Sequence, residues 1–246
     1  MDTLIVTGAG RGIGAAVARL AAKQFVVAVN FVKDKIAAQR VVDEINSSGG
    51  RALAIQGDVG RESDILNLFE TAERNLGPIG ALVNNAGITG GVSKVENLTS
   101  ATLNRVLAVN LTGTVLCCRE AVRRMQKKNG GHGGSIVNLS SIASRIGGAG
   151  EWVHYAMSKG AIDSFTIGLA REVAAEGIRV NAVSPGLIET DLHADSGQPD
   201  RLARLVPGVP MKRTGSAAEV AEGVVWLLSP SASYVTGTIL EISGGR

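Results

Sequence analysis

Tyr155 and Lys159 stand four residues apart in Tyr155-Ala156-Met157-Ser158-Lys159, and in a helix that spacing puts both on one face. A phenol with an ordinary pKa near ~10 is a poor acid or base at neutral pH. A cation about 4 Å away contributes roughly 4 kcal/mol at an effective dielectric of about 20 before desolvation costs. That would move the phenol by roughly 2–3 units, towards the range of proton transfer. A second chemistry belongs to Thr7-Gly8-Ala9-Gly10-Arg11-Gly12-Ile13-Gly14. This run follows the apolar Leu4-Ile5-Val6 and leads into 15–22, which has helical composition. Gly8, Gly12 and Gly14 form a G-x-x-x-G-x-G pattern; G-x-G-x-x-G does not fit, and no Lys-Ser/Thr follows to make a P-loop. A helix opening on a glycine turn aims its free N–H groups and positive dipole end at the turn, which favours an anion such as a pyrophosphate. Taken alone, the first motif also reads as a surface pair and the second as a tight strand-to-helix turn.

The elements that must position these residues alternate along the whole chain. Short apolar runs at 4–6, 25–29, 52–56, 81–83, 135–139, 179–183 and 238–242 read as strands. Amphipathic stretches near 15–22, 34–47, 61–76, 100–128, 155–176 and 216–228 read as helices. Continuously apolar strands separated by helices imply an α/β fold, a seven-stranded parallel sheet covered on both faces in a doubly wound Rossmann-type arrangement. No boundary or repeat interrupts the alternation, so residues 1–246 are expected to form a single domain. Ligands bind at the carboxyl ends of such strands. There the sequence places the glycine turn, Asn30-Phe31, Asp58-Val59, Asn84-Asn85-Ala86-Gly87, Ser140-Ser141 and Ser184-Pro185-Gly186.

Composition narrows the classes. Hydrophobic residues at 45% and charged residues at 19% describe an ordinary globular protein, and a net charge of +3 gives no strong field. Arg123, Arg124, Lys127 and Lys128 form a basic cluster at a helix end, where cations complement the dipole; no recognition motif accompanies them, so nucleic acid is not expected. No basic-plus-apolar leader opens the sequence and no uninterrupted apolar run is long enough for a membrane span, so a cytoplasmic location is expected. Histidines at 132, 154 and 193 show no metal-ligand spacing, and adjacent Cys117 and Cys118 do not suit a disulfide.

The ordered set of the glycine turn, Asn84–Gly87, Asn110, Ser141, Tyr155-x-x-x-Lys159 and Pro185-Gly186 resembles the short-chain dehydrogenase/reductase family over essentially the whole chain. Asn104–Asn110, Cys117–Met125 and Gly177–Gly186 are similar to its bacterial branch of 3-oxoacyl-carrier-protein reductases and glucose dehydrogenases. The resemblance implies an NAD(P)(H)-dependent enzyme interconverting a carbonyl and a secondary alcohol by hydride transfer. Tyr155 would be the general acid in reduction and the general base in oxidation. Lys159 would tune it and bind the nicotinamide ribose, Ser141 would hold the substrate oxygen, and Asn110 would hold a water linking Lys159 to solvent. Ser141 stands one residue further from Tyr155 than the family spacing, with the extra residue assigned to Gly147–Glu151; Ser140 and Ser144 are neighbouring alternatives.

For the cofactor, the resemblance implies contacts from Gly8, Arg11, Gly12, Ile13 and Gly14, from Asp58 and Val59 at the adenine, and from Asn84, Ala86 and Gly87 at its ribose. Pro185, Gly186, Ile188 and Thr190 would meet the nicotinamide carboxamide. A carboxylate ending the second strand selects NAD. Here Asn30 and Phe31 take that place, Asp34 is the nearest acid, and Arg11 and Lys33 lie within reach. A moderate preference for NADP(H) is expected, with NAD(H) also used. Helices 100–128 and 155–176 carry apolar residues on more than one face, which together with the resemblance implies a homotetramer. A 3-oxoacyl-carrier-protein substrate, with acyl carrier protein as partner, and a sugar 1-dehydrogenase activity both stay open. So does a non-catalytic cofactor-binding regulator. The segment 187–211 is long for a strand-to-helix connection and is expected to close over substrate. Arg145, Glu151, Trp152, His154 and His193 at the expected rim select no substrate.

Overall fold

The computed structural model describes residues 1–192 and 196–246. Seven parallel strands form one sheet in the order β3-β2-β1-β4-β5-β6-β7. They are β1 Thr3–Val6, β2 Val26–Phe31, β3 Ala52–Gln56, β4 Ile79–Asn84, β5 Gly134–Leu139, β6 Ile178–Pro185 and β7 Ile239–Ile242. Helices α1 (Gly12–Ala21) and α2 (Lys35–Ser47) pack on one face with α9 (Ala217–Leu228). Helices α3 (Glu62–Leu76), α5 (Thr114–Met125) and α7 (Val153–Val173) pack on the other. Short α6 (Ala143–Ile146) and α8 (Arg201–Leu205) border the carboxyl edge. The alternation of short apolar strands and amphipathic helices dictates this result, because strands buried on both faces need helices on both. Leu4 and Val6 face one layer and Ile5 the other, all fully buried.

The sheet corrects one boundary that matters. The second strand runs to Phe31, and Asn30 and Phe31 pair with Ile55 and Gln56 of β3. Asn30 is therefore interior to the strand.

The stretch expected as one helix over 100–128 is α4 (Ser100–Leu107), a π turn at Ala108–Gly113, and α5. The helix passes so close to the loop after β3 that a Cβ at Gly113 would lie 2.5 Å from Val59 O. The continuous run Ser100–Met125 is long and apolar enough to cross a bilayer by length and composition, although polar residues break its sequence. Here its Val106, Val109, Cys117, Cys118 and Ala121 are buried within the fold. Arg123 and Arg124 of the basic cluster both bond Glu120.

Candidate active site

A cleft of about 650 Å³ opens along the carboxyl edge of the sheet. Gly8, Arg11, Gly12 and Ile13 form its floor beside β1. Gly8 and Gly12 have φ of 62° and 56°, a region that favours glycine. No side chain caps α1, so the free N–H groups of its first turn suit an anion. Gly14 serves differently: a Cβ there would lie 2.5 Å from Asn85 Nδ2 and 2.6 Å from Gly8 O, so its lack of a side chain lets α1 pack against the turn.

Two expected cofactor contacts are corrected. Asn30 is fully buried, its Oδ1 accepts from Gly8 N at 3.2 Å, and its Nδ2 donates to Ile55 O and Gly57 O. With its polar atoms engaged inside the strand, it does not reach the cleft; Phe31, Val32 and Lys33 line that wall instead. Asn84 also points inward, donating to Asn138 Oδ1 at 2.9 Å and to Cys118 Sγ at 3.2 Å. Burial pushes the Cys118 thiol up to about 12. Asn85, Ala86 and Gly87 line the cleft, and Asn85 Nδ2 ties it to Thr7 O and Gly8 O.

Asp58 and Val59 line the cleft beyond β3. Asp58 accepts from Gly60 N at 2.9 Å and from Arg105 at 2.8 Å. Burial pushes its carboxyl up, but the Gly60 N–H and the Arg105 guanidinium together hold it below the usual range. Asp34 lines the same wall as the cap of α2, accepting from Ala37 N. Arg11 lies 3.5 Å from Asp191. Pro185, Gly186, Ile188 and Thr190 line the part of the cleft beyond β6.

Ser141, Tyr155 and Lys159 converge in the cleft's centre. The Tyr155 hydroxyl faces the Ser141 side chain, and Ser141 Oγ accepts from Ala143 N at 3.2 Å. Ser140 donates to Lys159 O, and Ser144 Oγ is buried without a hydrogen-bond partner among the described residues, so of the three serines Ser141 faces the phenol. Positive φ at Gly147, Gly148 and Gly150 accommodates the extra length before α7. Lys159 Nζ lies 5.7 Å from the Tyr155 ring centroid and donates to Leu139 O at 2.6 Å. Asn110, in the π turn, accepts from Ile88 N and donates to Ile88 O and Ser158 Oγ. Both Nδ2 hydrogens are thus used, while Oδ1 keeps one lone pair. A Cβ at Gly87 would lie 3.5 Å from both Asn110 Oδ1 and Lys159 Nζ, so the three groups meet at one point.

The electrostatics differ from the simple pair expected from sequence. Burial raises the Tyr155 phenol above its ordinary value, with the Ser141 side chain and the Arg201 charge opposing. Burial also pulls Lys159 down from 10.5 to about 8, with Asp163 opposing. A charge removed from water is disfavoured on either group. The expected lowering of Tyr155 by Lys159 therefore does not prevail here.

Of the expected rim, Trp152 lies edge-on to Tyr155 with centroids 6.0 Å apart. His154 is buried against Thr89 O, Arg145 pairs with Glu241, and His193 lies outside the described residues. Sequence reasoning missed Arg105, Arg201 and Arg246, all of which line the cleft. Arg105 carried a signal, four residues before Val109 on the helix that flanks the site. Arg201 and Arg246 carried none, since only the folded chain brings them to the cleft.

The arrangement can bind a dinucleotide along the glycine floor and move a proton at the Tyr155 hydroxyl. The family model described as enoyl-(acyl carrier protein) reductase matches residues 8–246. The chain is 52% identical over 247 residues to an uncharacterized oxidoreductase, YgfF, of Escherichia coli, with all of both chains covered. It is 37% identical to glucose 1-dehydrogenase 2 of Bacillus subtilis, covering 99% of this chain and 93% of that one. A dehydrogenase/reductase from Sinorhizobium meliloti superposes with a TM-score of 0.91 at 33% identity, covering 99% of this chain and 94% of the other. A blue fluorescent protein from a metagenomic library, solved with NADPH, superposes at 0.90 with 34% identity, covering 99% and 97%.

Proposed function

Since this chain belongs to the short-chain dehydrogenase/reductase family, we propose that Tyr155 is the acid/base with which it interconverts a carbonyl and a secondary alcohol. The protein is an NAD(P)-dependent oxidoreductase acting on small-molecule substrates. The observation that carries the role of Tyr155 is its place in the cleft, a buried residue facing Ser141 with Lys159 behind its ring. The residues present fit a nicotinamide dinucleotide: an uncapped helix N-terminus for the pyrophosphate, and Asp58 with Val59 at the far wall. The cofactor supplies or accepts the hydride. In reduction Tyr155 donates its proton to the substrate oxygen, which Ser141 holds by a hydrogen bond as charge develops there. Lys159 supports the phenolate left behind, and the Gly87–Asn110–Lys159 cluster lies where a proton would return. In oxidation Tyr155 accepts the alcohol proton.

NADP(H) is the preferred cofactor in this reading, because Lys33 and Arg11 line the wall where the adenosine ribose would lie and Asn30 contributes no repulsive charge there. Asp34 faces the same wall but caps α2, which leaves room for NAD(H) as well. Residues 1–246 act as one domain. The half-buried Leu107, Leu111 and Val115, which do not pack into the core clusters, support a homotetramer through the paired helices. A cytoplasmic location completes the proposal.

A 3-oxoacyl-carrier-protein substrate or a sugar would fit this chemistry equally. Nicotinamide absorbance over ketones, aldehydes, sugars and 3-oxoacyl thioesters, read in both directions, tests the proposal. Turnover of none of them would return the protein to a binding role.

A further inference from the structure

Arg201 and Arg246 line the cleft but are not among the residues expected to contact the cofactor. Arg201 is buried, and its guanidinium stacks on Trp152 at 3.9 Å from the ring centroid. Its Nε bonds Glu151 Oε2 at 2.9 Å, and Arg204 bonds Glu151 Oε1 at 2.6 Å. One carboxylate thus already faces two guanidiniums.

Arg246 adds a third. It lines the same cleft, and its NH1 is shielded from solvent with no hydrogen-bond partner among the described residues. Gly244 and Gly245, with φ of 64° and 84°, turn the chain after β7 and bring Arg246 there. Met211 N bonds Gly244 O at 3.2 Å, and a Cβ at Gly245 would press on Pro210 at 3.2 Å. The turn is therefore fixed under segment 206–212. Burial and the nearby Arg201 charge both hold the Arg246 pKa down, with Glu151 opposing. Lys159 is a further cation beside Tyr155. The described carboxylates lining the cleft are Asp34, Asp58 and Asp191. Asp34 and Asp58 follow β2 and β3, at the opposite edge of the sheet, and Asp191 lies against Arg11.

A buried guanidinium N–H without a partner is costly, and a bound anion relieves that cost. Arg forks match the two oxygens of a carboxylate or phosphate. We infer that the substrate carries an oxyanion, a carboxylate or a phosphate, which Arg246 binds together with the Arg201 side of the pocket while its carbonyl meets Ser141 and Tyr155. This rests on reading the cleft as the carbonyl-reducing site, and it sets an anionic oxo compound above a neutral sugar.

The test compares matched pairs with NADPH. Acetoacetate, 2-oxobutanoate and levulinate are each set against their methyl esters, and dihydroxyacetone phosphate against dihydroxyacetone. At least one anion is expected to exceed its neutral partner in kcat/KM by tenfold or more. The two series distinguish carboxylate from phosphate. In Arg246→Gln that ratio is expected to collapse at least tenfold, mainly through KM, and Arg246→Lys should restore part of it. Calorimetric titration of the same compounds into NADP⁺-loaded protein gives a readout independent of turnover. Carboxylate- or phosphate-specific binding that Arg246→Gln abolishes, with no turnover, would support the anion site and reject the reductase reading. Turnover with neutral compounds equal or preferred would support the reductase and overturn the anion site. Absence of both anion-selective turnover and anion-selective binding would also overturn it, as would loss of NADPH affinity alone in Arg246→Gln.

Discussion

Lys159 Nζ lies 5.7 Å from the centroid of the Tyr155 ring while donating a 2.6 Å hydrogen bond to Leu139 O. The lysine is held behind the phenol by the backbone of β5, and burial acts against the charged form of both groups. The proposed acid/base pair is thus costly to the fold.

That cost is measurable. A Lys159 pKa lowered from 10.5 to about 8 corresponds to roughly 3 kcal/mol of destabilisation when the group is charged in both folded and unfolded chains. Lys159→Met should therefore raise the melting temperature at pH 7 while abolishing turnover. Between pH 8 and 10.5 the unfolded chain binds the proton that the folded chain has released, so wild-type stability rises with pH relative to the variant. Thermal melts across that range should show the gap narrowing. A gap that widens would contradict the buried-cation account.

The rate should follow the Tyr155 proton. Alcohol oxidation requires the phenolate, whose pKa burial raises, so kcat/KM for oxidation should climb with pH through the alkaline range. Carbonyl reduction should fall over the same interval. Matched pH profiles in both directions check this, and parallel profiles would count against Tyr155.

Cofactor choice should answer to Lys33 rather than Asn30. Asn30→Asp replaces an amide that donates to Ile55 O and Gly57 O with a buried carboxylate, so it should destabilise the protein by at least about 1–3 kcal/mol. It should not retune the cofactor. Lys33→Glu, at the cleft wall, should move the NADPH-to-NADH ratio of kcat/KM towards NADH by about tenfold, the equivalent of ~1.4 kcal/mol. Denaturation curves and paired kinetics separate the two effects.

The exposed side of helix 100–125 gives an assembly prediction. Leu111→Arg and Val115→Arg place charge among half-buried apolar residues that the monomer leaves partly uncovered. Light scattering should show a tetramer for wild type and smaller species for the variants. A wild-type monomer would remove the reason for those residues.

Much of this was legible before folding. The seven-stranded parallel sheet with helices on both faces follows from continuous apolar runs such as Leu4–Val6, and the Tyr155–Lys159 face follows from helical spacing. The end of β2 was not legible, because Asn30 is polar and reads as a loop residue. Only pairing with Ile55 and the buried contacts at Gly57 reveal it as interior. Asn84 misled for the same reason, its partner Asn138 being on the next strand. Burial of the Tyr155–Lys159 pair reverses the sign that pairwise charge alone suggests. Arg201 and Arg246 reach the cleft from separate segments, so no local spacing could join them to Tyr155.

The role of Tyr155 is tested most directly by Tyr155→Phe, with NADPH binding and carbonyl turnover measured in the same preparation. The ring keeps its packing against Trp152, and only the hydroxyl facing Ser141 is lost. NADPH should still bind, and kcat should fall by about 10²–10⁴-fold, the usual contribution of a positioned general acid. Near-native turnover in that variant would show that the proton comes from elsewhere.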